Sequence, residues 1–378
     1  MVRRWKWVSA IVIILTVIGC NNSAVDPDMP GAGPSQSEIV VLNSLSKTIQ
    51  QFNIIDGKLA TFGTDIQLGA NYDGEALDFV SDVWVTSTSQ FGGSQIIFGS
   101  FSTGEQAITT FPGDLGPLGD AGKPTIVLDA AATIGAFVPA RAEDAIYIAF
   151  PGQSEAQRMI EETGTFMVRA MPAGDFIIGI DANLDDDAGT FAPLGPPKMI
   201  LYEFRNGDFF DELEITGAFG ATEALIAQDE LVFLAGGSFD PVTFQPAGDG
   251  KMALINISDR GIRDLYDIGG NGIAMEPGRN GLLYIVRTKG PDTYETDVLT
   301  FNFFTGEFDR GPGNPIQPKD SDGSDLSCWV MTAFITGELL CVTFEAASQG
   351  RLVLFDSDAL FVDQIPVGAG ATDIIIRN

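Results

Sequence analysis

The chain has 378 residues, 51 of them acidic against 21 basic, with no histidine and a net charge of −30. A field of this sign repels phosphate backbones and anionic headgroups, which excludes nucleic acid as a partner and favours cations or basic groups. The missing imidazole excludes Ser-His-Asp and Cys-His nucleophiles and His-ligated zinc, while 45% hydrophobic residues allow a large core.

The first element in chain order is a signal peptide over residues 1–20. Arg3, Arg4 and Lys6 form a basic start, Val8 to Ile18 a short apolar run, and Val17-Ile18-Gly19-Cys20 a lipobox. The run is about half of the roughly 20 residues that a spanning helix needs, so cleavage before Cys20 is expected. Acyl chains on Cys20 then anchor the mature protein to a membrane. Asn21, where aspartate would hold the protein at the inner membrane, points to the outer membrane of a bacterial envelope. Residues 21–37 (NNSAVDPDMPGAGPSQS) have little to bury and read as a flexible tether. Without residues 1–20, which carry three bases and no acid, the net charge is −33.

Residues 38–378 carry a weak internal repeat: a strand, a variable loop, a second strand, and a turn with glycine leading to a third. Val40 to Asn43 precedes Thr48 to Ile55 and Asp56-Gly57; Val83 to Thr86 precedes Ser94 to Phe101 and Thr103-Gly104. Ile146 to Phe150 is aligned with Gln157 to Glu161 and Thr163-Gly164, and Phe176 to Ile180 with Lys198 to Phe204 and Asn206-Gly207. Leu231 to Leu234, Lys251 to Ile257 and Arg260-Gly261 form a fifth copy, and Leu283 to Val286, Asp297 to Phe304 and Thr305-Gly306 a sixth. Leu339 to Phe344, Arg351 to Phe355 and Ser357-Asp358 form the last, without its glycine.

The turn glycines recur at about 50 residues, the period of propeller blades. The predicted fold is therefore all-β, a β-propeller of seven four-stranded blades. The third and fourth copies are the least regular, which leaves six or eight blades open. The first copy lacks a leading strand and the chain finishes with an unpartnered one, Ala371 to Ile376, so the terminal strand is expected to close the ring and remove two open sheet edges. Two β-sandwich domains have the same strand content but predict no such period.

Val40-Val41-Leu42-Asn43-Ser44-Leu45-Ser46-Lys47-Thr48-Ile49-Gln50-Gln51-Phe52 with Asp56-Gly57-Lys58, and Ile365-Pro366-Val367-Gly368-Ala369-Gly370-Ala371-Thr372-Asp373-Ile374, resemble the YVTN-type β-propeller repeat. No copy carries the full Tyr-Val-Thr-Asn core. The resemblance implies a seven-bladed propeller exported to the envelope or surface, and it brings no catalytic residues.

Two acidic loops are candidate calcium sites, because calcium takes six to eight oxygens and alternate side chains of a turning loop supply several. One offers Asp181, Asn183, Asp185 and Asp187, without the glycine and terminal glutamate of an EF-hand; the other offers Asp320, Asp322 and Asp325 around Gly323. A solvated acidic turn explains both equally. The long connections 183–197, 236–250 and 287–296 present Phe239, Phe244 and Tyr294 as candidate binding-face residues. Cys328 and Cys341 are a candidate disulfide, although a tight turn at Thr336-Gly337 sets Cys341 opposite a residue near Thr332, so bridging needs a changed register. Trp84 and Trp329 sit in apolar strands and read as core.

The functional expectation is a monomeric, lipid-anchored binding or scaffold module for a protein, peptide or glycan, with no catalytic residues assigned. The alternatives are a carbohydrate-active enzyme using Asp/Glu pairs such as Glu161-Glu162 or Asp211-Glu212-Glu214, and a structural envelope component.

Overall fold

The computed structural model describes residues 37–377, apart from 70–71, 73–75, 89–94, 113–120, 129–132, 142–144, 161–165, 186–191, 228, 241–242, 244, 279–280, 335 and 344–348. The signal peptide, Cys20 and nearly all of the tether lie outside the described residues. Among the described residues no helix is long and apolar enough to cross a membrane.

Seven four-stranded antiparallel sheets follow one another along the chain, and they are the blades of a β-propeller. Each inner strand is followed outward by a second, third and outer strand. In blade 2 these are Leu77–Val80, Val83–Ser87, Gln95–Ser100 and Gln106–Thr110. Blade 1 differs as expected: Glu38–Asn43, Thr48–Ile55 and Lys58–Thr61 come from the start of the chain, and Ala371–Arg377 pairs with Glu38–Asn43 as its inner strand. The inner strands of blades 3 to 7 are Thr125–Leu128, Met167–Ala173, Glu223–Ala227, Gly272–Pro277 and Cys328–Ala333.

Second and third strands are buried almost throughout, because both faces of a middle strand pack against neighbouring blades; Leu231, Val232, Phe233 and Leu234 are all fully buried. Outer strands alternate, as in Phe209–Glu214, where one side meets water. The turn glycines hold the third-to-outer hairpins: Gly57, Gly104, Gly207 and Gly306 all have positive φ, which glycine adopts without cost.

The third repeat copy was placed one strand out of phase. Ala145–Ala149, read as a second strand, is the third, and Gln157–Ile160 is the outer strand, so the turn glycine of this blade is Gly152, with φ 82°, and not Gly164. The cause is that the second-to-third connection of this blade, residues 141–144, is the short one and its hairpin loop, 150–156, the long one.

Two local features show how closely the blades are fitted. Gly99 lies opposite Trp84 in the ladder, and a Cβ at Gly99 would stand 2.1 Å from the indole ring, which is itself fully buried. Gly99→Ala is expected to cost about 1–3 kcal/mol, the scale of overpacking a filled core; a lower urea midpoint with an unchanged slope is the readout. The second feature is the disulfide, which is present: Cys328 and Cys341 are bonded with Cα atoms 5.7 Å apart. Cys341 faces Met331, so a regular ladder would put Cys328 on the opposite face; a bulge between Cys328 and Val330 pairs Cys328 with Thr343 and turns it to the face of Cys341. Replacing both cysteines by alanine is expected to lower stability by about 3 kcal/mol, the loop-entropy value for a short loop, measured under oxidising conditions.

Candidate functional site

Inner strands leave one backbone edge unpaired towards the axis, and those N–H and C=O groups need partners. The chain supplies them from blade to blade. The Leu77 N–H donates to Asp373 Oδ2 (2.8 Å), tying blade 1 to blade 2, and the Ile126 N–H donates to Asp78 Oδ2 (2.7 Å), tying blade 2 to blade 3. The Lys123 N–H donates to the Val168 carbonyl (3.0 Å), Arg169 to the Ala224 carbonyl (2.9 Å), Thr222 Oγ1 to the Gly272 carbonyl (3.1 Å) and Thr296 Oγ1 to the Cys328 carbonyl (2.8 Å). Blade 7 returns to blade 1 through the Ser44 N–H on the Gly370 carbonyl (2.7 Å), and away from the axis the Leu59 N–H of the blade 1 outer strand donates to Asp363 Oδ2 of the blade 7 outer strand (2.9 Å).

Beside these links six charged side chains come within electrostatic reach of one another: Asp78, Lys123, Arg169, Glu223, Glu276 and Asp373. They lie deep in the molecule, yet all but Glu223 keep some open surface, as residues on a water-reached channel do. Lys123 and Arg169 both bond Glu223 and take up its two oxygens. Burial opposes the Glu223 charge, but the two bases outweigh it and hold its carboxyl below the usual range; the same pairing raises Lys123 and Arg169.

The remaining acids have no base of their own. Glu276 has no hydrogen-bond partner among the described residues; burial, with Asp373 and Glu223 nearby, raises its carboxyl well above the usual value. Burial pushes Asp373 up to about 6, against the pull of the Leu77 N–H and Lys123. Burial also raises Asp78, with Arg169 and the N–H groups of Ile126 and Phe79 opposing. Four carboxylates thus face two bases, and the deficit is felt at Glu276 and Asp373, where the Asp373 charge adds to the cost of ionising Glu276.

The cluster lies towards one mouth of the channel. Inner strands begin where the inter-blade connections arrive, the end from which second-to-third connections also leave, and Glu223 is the first residue of its strand, Asp78 the second and Asp373 the third; Glu276, the fifth of its strand, is deeper. Phe239 and Tyr294, singled out from sequence, are both exposed on this loop face. The Asp292 N–H donates to the Pro246 carbonyl (2.9 Å), and Lys289 bonds Asp325 (2.8 Å), so the loops of blades 5 and 6 and the connection to blade 7 form one rim. Phe244 lies outside the described residues.

The acidic loops occupy the same face. Asp181 is buried and its Oδ1 accepts from the Phe166 N–H (2.9 Å) and the Asn183 N–H (2.8 Å), while Asn183 Nδ2 donates to the Pro196 carbonyl (2.9 Å). Asp185 pairs with Ala192 in a small two-stranded ladder, and Asp187 lies outside the described residues. In the second loop, Arg351 bonds Asp320 (2.6 Å), Ser324 bonds Asp322, and Lys289 and Lys319 bond Asp325, drawing its carboxyl down to about 2. Bases thus neutralise Asp320 and Asp325, while Asp322 is held by Ser324. Among the described residues no three acid or cysteine side chains gather at metal-ligand spacing. Asp211 and Glu212 pair with Arg260 and Lys198 on the outside of blade 4, Glu214 lies exposed beside Lys198, and Glu161-Glu162 fall outside the described residues. A groove of about 870 Å³ opens between blades 1 and 2, where Arg377 bonds Glu38 and lies near Asp82, while Asp65 accepts from Gln50.

No family model matches the chain, and no curated protein matches it in sequence. In structure it is similar to a protein of Bacteroides fragilis assigned as a 6-phosphogluconolactonase, with TM-score 0.58, 11% identity, and coverage of 93% of this chain and 100% of that one. It is also similar to the dihydro-heme d1 dehydrogenase NirN in complex with DHE, with TM-score 0.55, 8% identity, and coverage of 99% and 82%. At such identities the likeness is one of fold, and the class it defines is the β-propeller.

Proposed function

We propose that the protein is a lipid-anchored, monomeric, non-catalytic binding module of the bacterial cell envelope, which accepts a basic group of a protein or peptide partner at the loop-face mouth of its channel. The charge imbalance carries the reading: Glu276 and Asp373 lack a base, because Lys123 and Arg169 are committed to Glu223. A lysine, an arginine or a terminal amine entering from the loop face supplies the absent charge, and Phe239 and Tyr294 on the rim offer the aromatic contact that protein partners use. The net charge of −33 of the mature chain steers such a partner inward. Export, lipid on Cys20 and outer-membrane sorting rest on the lipobox and Asn21, and the likeness to YVTN-type repeats agrees with an envelope location.

Residues 21–378 screened against peptide and glycan arrays test the assignment. Lysine- and arginine-bearing peptides are expected to bind, Glu276→Gln to weaken them at least tenfold, and glycans to be left untouched. The carbohydrate-active alternative now rests on Glu276 and Asp373, since Asp211 and Glu212 are paired with bases and Glu214 is exposed. Glycan cleavage that vanishes in Glu276→Gln would replace the binding assignment by that one.

A further inference from the structure

The end of the ring opposite the loops carries an apolar patch at the place where the tether arrives. Ile39, one residue after the strand begins at Glu38, pairs with Phe52, so the chain enters beside the end of Thr48–Ile55. Ile55 is 55% exposed there. The adjoining hairpin of blade 7 presents Leu360 and Val362, 61% and 43% exposed, and the hydrogen bond from the Leu59 N–H to Asp363 holds the two hairpins side by side. Phe304 on the hairpin of blade 6 is 52% exposed at the same end.

We propose that this patch, Ile55 with Leu360 and Val362, rests on the lipid surface to which the protein is anchored, so that the propeller stands on its hairpin end and turns the channel mouth and loop rim outward. The inference depends on the anchoring at Cys20 proposed above. Composition reads residues 21–37 as a tether; a coil of that length would span about 20–25 Å, which would keep the hairpin end of blade 1 close to the bilayer. Standing on the loop face would stretch that coil along the strands, about 20 Å, and past the long loops as well. Asp56, Asp356 and Asp358 around the patch set the lipid class: a zwitterionic surface is tolerated and an anionic one repels.

The full chain, purified from membranes, is placed in phosphatidylcholine vesicles with a bimane label on Ile55→Cys, Leu360→Cys or Phe239→Cys. Brominated lipids are expected to quench the labels at 55 and 360 severalfold more than the label at 239, and phosphatidylglycerol to reduce the difference. Equal quenching at the three positions, or quenching confined to 239, overturns the proposed orientation. The mass of the peptide containing Cys20 reports the anchor separately. An unacylated Cys20 with no vesicle association removes the anchor and this inference with it, whereas an acylated, vesicle-bound protein whose labels at 55 and 360 stay unquenched removes the orientation alone.

Discussion

A chain ending at Gly370 is expected to lose its cooperative unfolding transition and to elute as aggregates rather than as a monomer. Without Ala371–Arg377, blade 1 keeps three strands, and the unpaired edge of Glu38–Asn43 opens to the channel. The same deletion removes Asp373, the acceptor for the Leu77 N–H, and Arg377, which bonds Glu38 (2.6 Å) and lies 4.1 Å above the Phe101 ring of blade 2. Val41 and Ile39 lose the strand that covers them, opposite Ile374 and Ile376, and the buried Ile374 goes with the deleted strand. Burying a side chain of this size contributes about 1.5–3 kcal/mol, so losing several, with the ladder and the ion pair, is comparable with the 5–15 kcal/mol by which domains are stable. Size-exclusion chromatography and thermal melting of the truncated chain provide the measurement; a monomer with the full-length melting temperature would show that the terminal strand is dispensable.

The second large effect is a pair of opposite signs within the channel. Glu223→Ala leaves Lys123 and Arg169 buried without their counter-ion, and breaking a buried pair in this way costs about 3–5 kcal/mol. Glu276→Gln removes a charge that is itself uncompensated, so it is expected to stabilise at neutral pH. The sign with pH follows from the raised carboxyls. Between the unfolded value and the higher folded one, the native state holds a proton that the unfolded state has lost, so the contribution of Asp373 is present below about pH 4 and is lost as pH rises through about 6. Glu276 acts in the same direction. The stabilisation by Glu276→Gln should therefore grow from pH 5 to pH 8, seen as a widening gap in melting temperature from the unmodified protein. The background charge is nearly common to both proteins, which makes the gap specific to the channel. A gap that narrows with pH would contradict the raised carboxyl.

Much of this fold was legible in the chain because one physical demand repeats: a hairpin at the end of each third strand needs a residue with positive φ, and Gly57, Gly104, Gly207 and Gly306 meet it. The closing strand was legible for a related reason, since an apolar terminal segment without a partner must find an edge. The phase of blade 3 was not, because loop length was the only guide to which connection was which, and that blade reverses the pattern. The disulfide depended on a bulge at Cys328/Val330, and bulges leave no reliable trace in one sequence.

The channel cluster was missed altogether. Acidic density marks the loops at 181–187 and 320–325, whereas the acids at the axis are single ones inside apolar strands, as in Thr372-Asp373-Ile374, Thr222-Glu223-Ala224 and Met275-Glu276-Pro277. A signal was available: an isolated charge at a similar place ahead of the buried second strand recurs in several copies, and it sits where an otherwise apolar strand gives it no reason to be. Of the dense loops, the one at 320–325 is held by Arg351, Lys289 and Lys319, bases whose approach no local spacing announces.

Calorimetric titration near pH 6 of a lysine-bearing peptide from the array screen, in two buffers of different ionisation enthalpy, bears most directly on the channel as a receptor for basic groups. A cation entering beside Glu276 and Asp373 drives protons off their carboxyls, so binding should release protons in the unmodified protein and release fewer, with weaker affinity, in Glu276→Gln. Binding of equal strength and without proton release in both proteins would place the partner elsewhere and refute the role given to the channel.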